Sequence, residues 1–401
     1  MTLGDDLLPG RRAPGREHLR LLRRADPRAR GVDGAHSIED LRRLAGRRTP
    51  RPVLDYVEGG AEGEVTLRAT RDALDALRWR PHVLRGTREV DLGRTVLGTR
   101  QPLPFALGPT GFTRMMHRHG EVGVALAAAR AGIPYGISSM STTPLDRITR
   151  VGGRTWFQLY LWRDRGRSLD LLEQARELGC TALVVTVDVP VGGNRERDTR
   201  NGLTVPPRLS ARTVASMARR PRWCLDALTS EPLGMAALPG WAESLDELSA
   251  TMFEPGATLD DLTWIRDVWP RHLVVKGVLR ADDARAVVDL GADAVVVSDH
   301  GGRQLDRVQP SISALRGIVE AVGGDTEVWY DGGVRRGQDV AAALALGATT
   351  VLLGRAYLYG LMAGGTAGVS RAITLLEAEL RRCLHLLGVP SVDALSPDLL
   401  S

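Results

Sequence analysis

The stretch DAVVVSDHGG, residues 293–302, decides the fold class of this chain. Its small and β-branched apolar residues lie between an aspartate and a pair of glycines, which is typical of a short strand buried on both faces of a parallel sheet. Seven further runs share this pattern: PFALGPTG (104–111), YGISS (135–139), TWFQLY (155–160), ALVVTVD (182–188), HLVVKG (272–277), EVWYDGG (327–333) and TTVLLGR (349–355). The sequence therefore predicts eight buried strands.

Helical patterns separate most of these runs, which places the chain in the α/β class. The clearest patterns are rich in Ala, Leu and Arg and end in glycine: 120–132, 168–179, 281–291 and 337–347. Strands that alternate with helices pair in parallel through right-handed crossovers, and eight is the number that closes a barrel. An open, doubly wound sheet is the alternative, but no GxGxxG motif follows the first run. We therefore predict a (β/α)8 TIM barrel.

The domain organisation follows from the spacing of the strands. We expect a basic, flexible N-terminal segment at 1–36 and one domain at 37–401, whose parts are N-terminal helices at 37–100, the barrel at 101–380, an insertion after the fourth strand at about 200–262 and a C-terminal helix at 366–401. The N-terminal helices should break near Pro50 and Pro52. The insertion is both basic and apolar, so it forms either a packed helical excursion or a surface for a membrane or redox partner.

Composition argues against several classes of protein. The 401 residues carry 53 basic and 48 acidic side chains with the two signs interleaved, so we predict no nucleic-acid partner. Cys180, Cys224 and Cys383 are far apart, so we predict no disulfide and no metal site, and we expect a cytoplasmic protein. No apolar segment follows the N-terminal arginines or is long enough to cross a bilayer, so we expect neither a signal peptide nor a membrane span.

Lys276 is the one lysine in the chain, and the other 52 of the 53 basic residues are arginines. A codon bias accounts for the arginines but not for the position that stayed lysine. Lysine is a compact point charge on a thin stem, whereas arginine is a wide planar fork. At the end of the fifth strand, a lone cation can stabilise the reduced form of an electron-accepting ring. We therefore take Lys276 as a candidate functional residue.

Two glycine-rich turns follow the seventh and eighth strands, DGGVRRG (331–337) and LGRA (353–356). In many barrels these two loops bind a phosphate through backbone amides and a helix N-terminus. Arg335 and Arg355 add charge-assisted donors. Tight turns with surface arginines are the alternative, but two such loops in the two expected places favour a phosphate site.

Polar residues also gather at the ends of the first six strands. Small polar side chains such as Ser138, Gln158 and Thr186 suit the edge of a polar heterocycle, and the first strand ends in Pro109-Thr110-Gly111. His300 closes the sixth strand and can take a proton, while Arg303 can hold a carboxylate in a bidentate grip. The remaining candidates are an orienting acid and a second carboxylate contact: Asp188 and Arg195.

These motifs together resemble the FMN-dependent L-2-hydroxy-acid oxidase and dehydrogenase family, which includes glycolate oxidase, mandelate dehydrogenase and flavocytochrome b2. The similarity runs over about 37–397 and rests on DY…GGAE, GPTG, QLY, TVDVP, RERDTRNG, VKGV, HGGRQLD, DGGVRRG and GRAYLYG. Other motifs (HRHGE, WFQLYLWRDR, TVDVPVGG, GRAYLYGLMAGG) are similar to the L-lactate dehydrogenase type of actinobacteria.

The resemblance implies a role for each candidate residue. The catalytic set is the base His300, its partner Asp188, and Tyr160 and Arg303 beside the substrate. The substrate pocket comprises Tyr56, Tyr160, Arg195, Arg303 and Met140. FMN contacts are implied for Lys276 at the flavin N1/O2 edge and for Pro109, Thr110, Gly111, Ser138, Gln158, Thr186 and Ser298, with Asp331, Gly333, Arg335, Gly354 and Arg355 at the ribityl-phosphate end.

Two positions depart from the family pattern. The family commonly reads S-N-H-G-G, whereas this chain has Asp299 before His300. Adjacent side chains point apart, so we expect a structural effect of Asp299 rather than a metal site. Met140 stands where members vary between a large aromatic and a small residue, and a flexible Met favours a small or medium aliphatic substrate.

The resemblance implies FMN-dependent oxidation of an L-2-hydroxy acid, with L-lactate favoured, to the 2-keto acid. Electrons would pass to quinone, a cytochrome or O₂, and the protein would be a homo-oligomer, often a tetramer. The basic and apolar insertion leaves peripheral contact with the inner face of the membrane open. The residues leave open the acceptor, the substrate, and whether the proton leaves carbon or the hydroxyl. The alternatives are a larger biosynthetic 2-hydroxy acid, an FMN or phosphate barrel with non-oxidative chemistry, and a non-catalytic flavin-binding protein.

Overall fold

The eight predicted strands close into one barrel. The computed structural model describes residues 31–202, 211–234 and 253–401. A short antiparallel hairpin, β1 (Arg94–Val96) and β2 (Thr99–Gln101), precedes the barrel strands β3 (Phe105–Leu107), β4 (Tyr135–Ser138), β5 (Thr155–Tyr160), β6 (Ala182–Thr186), β7 (His272–Val278), β8 (Ala294–Ser298), β9 (Glu327–Asp331) and β10 (Thr350–Leu353). Every neighbouring pair of barrel strands is parallel, and β10 pairs with β3 to complete the ring. The predicted TIM barrel is confirmed.

The interior of the barrel is a packed apolar core rather than a channel. Trp156 of β5 and Trp329 of β9 stack with ring centroids 4.7 Å apart, and both are fully buried. Small and branched residues such as Ala106, Val184 and Val296 fill the remaining space. This filling explains the β-branched runs of the sequence, because each strand is covered on both faces.

The β1–β2 hairpin covers the amino end of the barrel. Val96 is completely buried in the interior cluster. The backbone N–H of Leu97 donates to Oε1 of Glu327, the first residue of β9, at 2.7 Å. The carboxyl ends of the strands therefore form the open face of the barrel, which is where active sites of this fold are found.

Helices cover the outside of the barrel and precede it. In chain order they are α1 (Ile38–Arg48), α2 (Arg51–Glu58), α3 (Val65–Ala76), α4 (Thr113–Met116), α5 (Gly120–Ala131), α6 (Leu145–Thr149), α7 (Arg165–Glu177), α8 (Glu196–Arg200), α9 (Ala211–Ala218), α10 (Pro221–Thr229), α11 (Leu259–Val268), α12 (Ala281–Asp289), α13 (Ser311–Val322), α14 (Gly337–Ala345) and α15 (Arg355–Leu387). The break between α1 and α2 falls at Thr49 and Pro50, both extended, because a proline disfavours the helical conformation of the residue before it.

The C-terminal helix differs from the expected range of 366–401. It begins at Arg355 and is kinked at Gly364 and Gly365, which is why the sequence pattern places its start at 366. It ends at Leu387, because Gly388 adopts a left-handed conformation with φ of 71°. Two short 3₁₀ turns, Val392–Ala394 and Pro397–Leu399, follow it, so the expectation of a helix to residue 401 is wrong.

Two expected segments lie partly outside the described residues. Most of the basic N-terminal segment expected at 1–36 falls there, as do 203–210 and 235–252 of the expected insertion. The described part of the insertion contains α9 and α10. Within the part of the chain that the structure describes, no helix is both long and apolar enough to cross a membrane.

Candidate active site

The parallel register brings the predicted polar residues to one level at the barrel mouth. Tyr160 of β5 pairs with Thr186 of β6, and Thr186 pairs with Lys276 of β7. Ser298 of β8 pairs with Asp331 of β9. These five residues lie at or near the carboxyl ends of five consecutive strands, although the chain separates the first from the last by more than half of the barrel.

A hydrogen-bonded row of buried polar side chains crosses β4, β5 and β6. Ser138 Oγ donates to Gln158 Oε1 at 3.0 Å, and Gln158 Nε2 donates to Thr186 Oγ1 at 3.0 Å. These bonds fix the orientation of the Gln158 amide. At the neighbouring end of β3, Thr110 shares a hydrogen bond with the Tyr357 hydroxyl. The row presents a fixed pattern of donors and acceptors to a polar ring.

Lys276 is a buried cation held by two partners. Its Nζ donates to Ser298 Oγ at 2.9 Å and lies 2.8 Å from Asp331 Oδ2. Burial lowers the pKa of Lys276, but the carboxylates of Asp331 and Asp188 oppose it and the net pKa is raised. The single lysine therefore stays charged in the barrel mouth, where the wider guanidinium of arginine would not take its place.

His300 and Asp188 form a hydrogen-bonded pair across the barrel mouth. His300 Nδ1 lies 2.9 Å from Asp188 Oδ1. Burial alone would raise the pKa of Asp188, but His300 and Lys276 together lower it by more, so the net pKa lies below the usual value. Asp188 is therefore ionised, and it holds a proton on Nδ1 of His300. The other ring nitrogen, Nε2, is left to exchange a proton with a ligand.

The backbone at His300 has a left-handed conformation, with φ of 53°. Two side chains stabilise this turn: Ser298 Oγ accepts from the N–H of His300 at 3.0 Å, and Asp299 Oδ1 accepts from Gly301 at 2.9 Å. A non-glycine residue in this region is strained, and such strain is held by its surroundings. The turn directs the imidazole toward Asp188.

Asp299, the family mismatch, points away from the His300 ring. Its Oδ2 accepts hydrogen bonds from the hydroxyls of Thr70 and Ser311 and from the Ser311 backbone. Burial raises the pKa of Asp299, partly opposed by the Thr70 hydrogen bond. Asp299 therefore fastens the His300 turn to α3 and α13, which is the structural role expected for it.

Gly277 is a site residue that the sequence analysis missed. It forms a bulge in β7, because the register with β8 shifts between Lys276 and Val278. Its φ is +109°, and a Cβ there would lie 2.5 Å from Asp188 Cγ. Glycine is therefore required for Asp188 to reach His300. The signal was present as the glycine that follows the lone lysine.

Two arginines lie over the ring of Tyr56. The guanidinium carbon of Arg303 is 5.1 Å from the ring centroid, and that of Arg195 is 5.6 Å from it. Arg303 Nη1 donates to the carbonyls of Tyr56 and Gly59, at 2.7 and 2.9 Å. Burial and the nearby Arg195 lower the pKa of Arg303. Two cations this close favour an anionic ligand beside them.

A further partner of Arg195 was also missed. Asp198 Oδ2, in the short helix α8, lies 3.3 Å from Nε of Arg195, the residue that precedes this helix. Burial raises the pKa of the Asp198 carboxyl. Asp198 therefore orients Arg195 toward Tyr56, and the i, i+3 spacing was its signal.

The apolar side of the pocket comes from aromatic and thioether side chains. Phe112 meets the Tyr56 ring edge-on at 6.2 Å, and Phe253 meets Tyr160 edge-on at 5.3 Å. Met140 is half-buried, and its carbonyl accepts from the N–H of Phe112 at 3.1 Å. Burial raises the pKa of Tyr160 to about 12, so its hydroxyl remains a donor at neutral pH. Neither phenylalanine was identified from the sequence.

The loops after β9 and β10 contain the residues predicted to bind a phosphate, and the side chain of one of them, Arg355, turns elsewhere. α15 begins directly after Gly354, and a Cβ on Gly354 would meet no heavy atom within 4 Å. Gly333 packs against α3, and Arg335 pairs with no carboxylate of the described residues. Arg355 differs: its guanidinium donates to the carbonyls of Val57, Gly59 and Gly301, at 2.8 to 2.9 Å.

Arg355 therefore joins α2 to the turn at Gly301 instead of projecting its side chain into the phosphate loop. The side chain is buried, and burial lowers its pKa to about 9. What α15 offers a phosphate is its first-turn amides beside Gly354. A sequence pattern shows that an arginine follows the glycine but not which partners its side chain takes.

The barrel mouth thus combines a buried cation, a His–Asp pair, two arginines for an anion and an open helix N-terminus. These features define an oxidoreductase that binds an organic acid beside a phosphate-bearing cofactor. A model of the family described as FMN-dependent dehydrogenase matches residues 45–401, and the chain belongs to that family.

Individual relatives agree with this assignment. The chain is 48% identical over 374 residues to a protein of Mycobacterium tuberculosis (strain H37Rv) named "Putative L-lactate dehydrogenase", across 93% of this chain and 90% of the relative. It is 44% identical to the L-lactate dehydrogenase of Caulobacter vibrioides, across 91% and 97% of the two chains. A crystal structure of the monotopic membrane protein (S)-mandelate dehydrogenase is similar with a TM-score of 0.88, at 39% identity across 92% and 99%.

FMN is the cofactor of this family, and the residues present fit it. The charged Lys276 suits the electron-accepting edge of the ring, and the Ser138–Gln158–Thr186 row offers hydrogen bonds to its polar atoms. The open space in front of Gly354 lies where a phosphate would meet the N-terminus of α15. The predicted family, fold class, cofactor and enzyme class, an FMN-dependent 2-hydroxy-acid dehydrogenase, are confirmed.

Proposed function

We propose that this chain oxidises L-lactate to its 2-keto acid, with His300 as the base. The observation that carries the proposal is the His300–Asp188 pair, 2.9 Å apart, at one level with the buried Lys276 and near two arginines. Oxidation of a 2-hydroxy acid needs a base to take the proton, a fixed cation beside the electron acceptor and cationic side chains that bind the carboxylate.

The substrate carboxylate is held by Arg303 and Arg195. Arg303 Nη1 donates to backbone carbonyls of α2 and Gly59, so Nε and Nη2 remain for a bidentate contact with the carboxylate. The Tyr56 ring keeps the two guanidinium groups in place. The protonated Tyr160 hydroxyl donates to the substrate carboxylate or hydroxyl. These contacts orient the α-carbon toward the base.

His300 Nε2 takes the proton. Asp188 accepts from Nδ1, keeps the correct tautomer and stabilises the imidazolium that forms. FMN, when bound, accepts the two electrons of the substrate. Whether the proton leaves carbon or the hydroxyl, it ends on the same nitrogen of His300.

The remaining candidate residues would hold FMN. Lys276 would face the N1/O2 edge of the flavin, and Ser138, Gln158 and Thr186 would bond its polar atoms. Ser298 and Asp331 hold Lys276 in place. The other cofactor contacts of this proposal are Pro109, Thr110 and Gly111 beside the ring and Gly333, Arg335, Gly354 and the backbone of Arg355 at the phosphate.

Two observations support lactate as the substrate. Relatives at 41–48% identity are named L-lactate dehydrogenase, whereas the mandelate enzymes among the solved structures are 37–39% identical. Met140, next to Gly111 and Phe112, leaves room for a small or medium aliphatic side chain.

The proposal also covers the electron acceptor, the oligomeric state and the location of the enzyme. The acceptor of the substrate's electrons would be quinone, a cytochrome or O₂, and the protein is a cytoplasmic homotetramer that contacts the inner face of the membrane. Membrane contact is supported by α10, where Leu225 and Leu228 are 62% and 84% exposed and Arg219 and Arg222 lie nearby. A structural neighbour is described as a monotopic membrane protein.

A substrate panel tests the proposal. The purified holoenzyme is supplied with L-lactate, glycolate, L-mandelate and longer L-2-hydroxy acids, each with O₂ and with a quinone analogue as acceptor. We expect the highest kcat/KM for L-lactate. A preference for a larger acid would reject lactate, and turnover of none would reject the 2-hydroxy-acid assignment.

A further inference from the structure

A second cavity lies away from the barrel mouth and has a strongly positive lining. It has a volume of about 310 Å³ and is formed by the end of α1, the segment around α4, and the segment that contains α10. This volume is that of a small-molecule site. None of the residues that we place in the active site lines it.

The lining of this cavity is much more positively charged than the rest of the molecule. Seven arginines contribute to it, Arg47 and Arg48 from α1, Arg114 and Arg118 around α4, and three within 219–222. The lining contains two carboxylates, Asp226 and Glu231, so its formal charge of +5 equals that of the entire chain. Positive charge that is interleaved with acids elsewhere is therefore concentrated here.

Much of this charge has no acidic partner. Arg118 lies 3.4 Å from Asp226, and Glu231 pairs with Arg147 at 2.9 Å and lies 4.0 Å from Arg114. Arg47, Arg219 and Arg222 pair with no carboxylate among the residues that the structure describes. These guanidinium groups are available to an anion.

A buried donor in the lining of the cavity, Arg220 Nε, is available to an acceptor from a ligand. Arg220 Nη2 donates to the Gly46 carbonyl at 2.9 Å, which fixes the side chain between α1 and α10. Its Nε is buried and has no hydrogen-bond partner within the described part of the chain. Buried donors are nearly always satisfied, so an acceptor supplied by a ligand accounts for this one. Arg220 also precedes α10, whose N-terminus adds positive potential.

The other wall of the cavity is apolar. Met115, Met362 and Leu233 line it together with Trp223, whose indole N–H donates to the Met115 carbonyl at 3.1 Å. His117 adds no charge at neutral pH, because burial lowers its pKa to about 4. The ligand therefore has an anionic end and an apolar part.

We propose that this cavity is a second ligand site, separate from the active site, that binds the phosphate group of a molecule with an apolar portion. Several arginine forks around one pocket match the planar, multidentate recognition of phosphate better than that of a single carboxylate. A soluble organic phosphate and the headgroup of an anionic phospholipid share this chemistry.

The test is a binding measurement on the full chain saturated with FMN, so that the cofactor's phosphate loops are filled. Sodium pyrophosphate is titrated calorimetrically into wild type, into R219Q/R222Q and into the control R85Q/R88Q. Both variants lose two exposed arginines without carboxylate partners in the described residues, so their net charges match. Sedimentation with phosphatidylglycerol and with phosphatidylcholine vesicles forms the second arm.

We expect R219Q/R222Q to weaken binding by at least about tenfold, because it removes charge-assisted forks, and the control to change it less than about twofold. Loss of pyrophosphate binding identifies a soluble phosphate, and selective loss of phosphatidylglycerol binding alone identifies the headgroup. Equal binding by wild type and R219Q/R222Q in both arms overturns the proposal, as does wild type that binds neither probe. The readout is independent of turnover, so failure of the lactate assignment leaves it intact.

Discussion

His300 Nδ1 lies 2.9 Å from Asp188 Oδ1, although 112 positions separate the two residues in the chain. The contact exists because β6 and β8 flank β7, so the segments that follow these two strands meet at the barrel mouth. Asp188 Oδ2 is buried and has no hydrogen-bond partner among the described residues. The carboxylate thus directs its ionised charge at the imidazole, and the first prediction concerns this pair.

Replacing Asp188 with Asn should lower the rate of flavin reduction by about 10³-fold, because the amide no longer stabilises the imidazolium. FMN should remain bound, since Asp188 is not among the residues proposed to hold it. The rate is measured by anaerobic stopped-flow absorbance. The exposed Asp170→Asn is the matched control and should reduce at the wild-type rate. An Asp188→Asn enzyme as fast as the control would remove Asp188 from the mechanism.

Gly277→Ala should damage the same pair through packing. The added Cβ would lie 2.5 Å from Asp188 Cγ, so the carboxylate must move and kcat/KM should fall by about 10²-fold. Gly98→Ala is the control, because Gly98 also has a positive φ, +69°, but a Cβ there meets nothing within 4 Å. Both variants strain the backbone, so equal losses of activity would show that strain, not Asp188, is responsible.

Lys276→Met should destabilise the protein because it leaves the Asp331 carboxylate without its cation. Removing one partner of a buried pair costs about 3–5 kcal/mol in the free energy of unfolding. Urea unfolding measures the change. Lys276→Met/Asp331→Asn removes both charges and should recover part of the loss. A double variant less stable than Lys276→Met alone would contradict the account of Asp331.

Asp299→Asn should change the free energy of unfolding relative to wild type more favourably at pH 7 than at pH 4.5. Burial raises the pKa of Asp299 above 3.8, so above that pH the folded state binds more protons than the unfolded state does. The free energy of unfolding of wild type therefore falls as pH rises through this window, and the asparagine removes that fall. Urea unfolding at both pH values checks the sign. If the free energy of unfolding of Asp299→Asn relative to wild type were less favourable at pH 7 than at pH 4.5, the raised pKa would be contradicted.

Met140→Ala should shift the substrate preference toward larger acids. The side chain is half-buried beside Gly111 and Phe112, and its removal opens space on the apolar side of the pocket. We expect the ratio of kcat/KM for L-mandelate to that for L-lactate to rise by at least about tenfold, the lower end of the effect of one methylene in an apolar pocket. An unchanged ratio would place the determinant of size elsewhere.

The sequence predicts those parts of this molecule that depend on local pattern. Eight branched runs become eight strands, because each is buried on both faces, and the lone Lys276 lies where its strand position placed it. Contacts between distant segments left no such pattern. Thr70 and Asp299 are 229 positions apart, and Arg355 bonds to Val57 over 298 positions. The Arg355 side chain and the arginine-lined cavity therefore became visible only in the folded chain.

The central claim is that His300 starts oxidation of a 2-hydroxy acid by FMN, and single-turnover reduction tests it most directly. Wild type and His300→Ala, both loaded with FMN, are mixed anaerobically with L-lactate while the absorption band of oxidised flavin is recorded. We predict that wild type loses the band within a turnover, whereas His300→Ala keeps it with FMN still bound. Retention of the band by wild type, or its equally rapid loss from His300→Ala, would contradict the account.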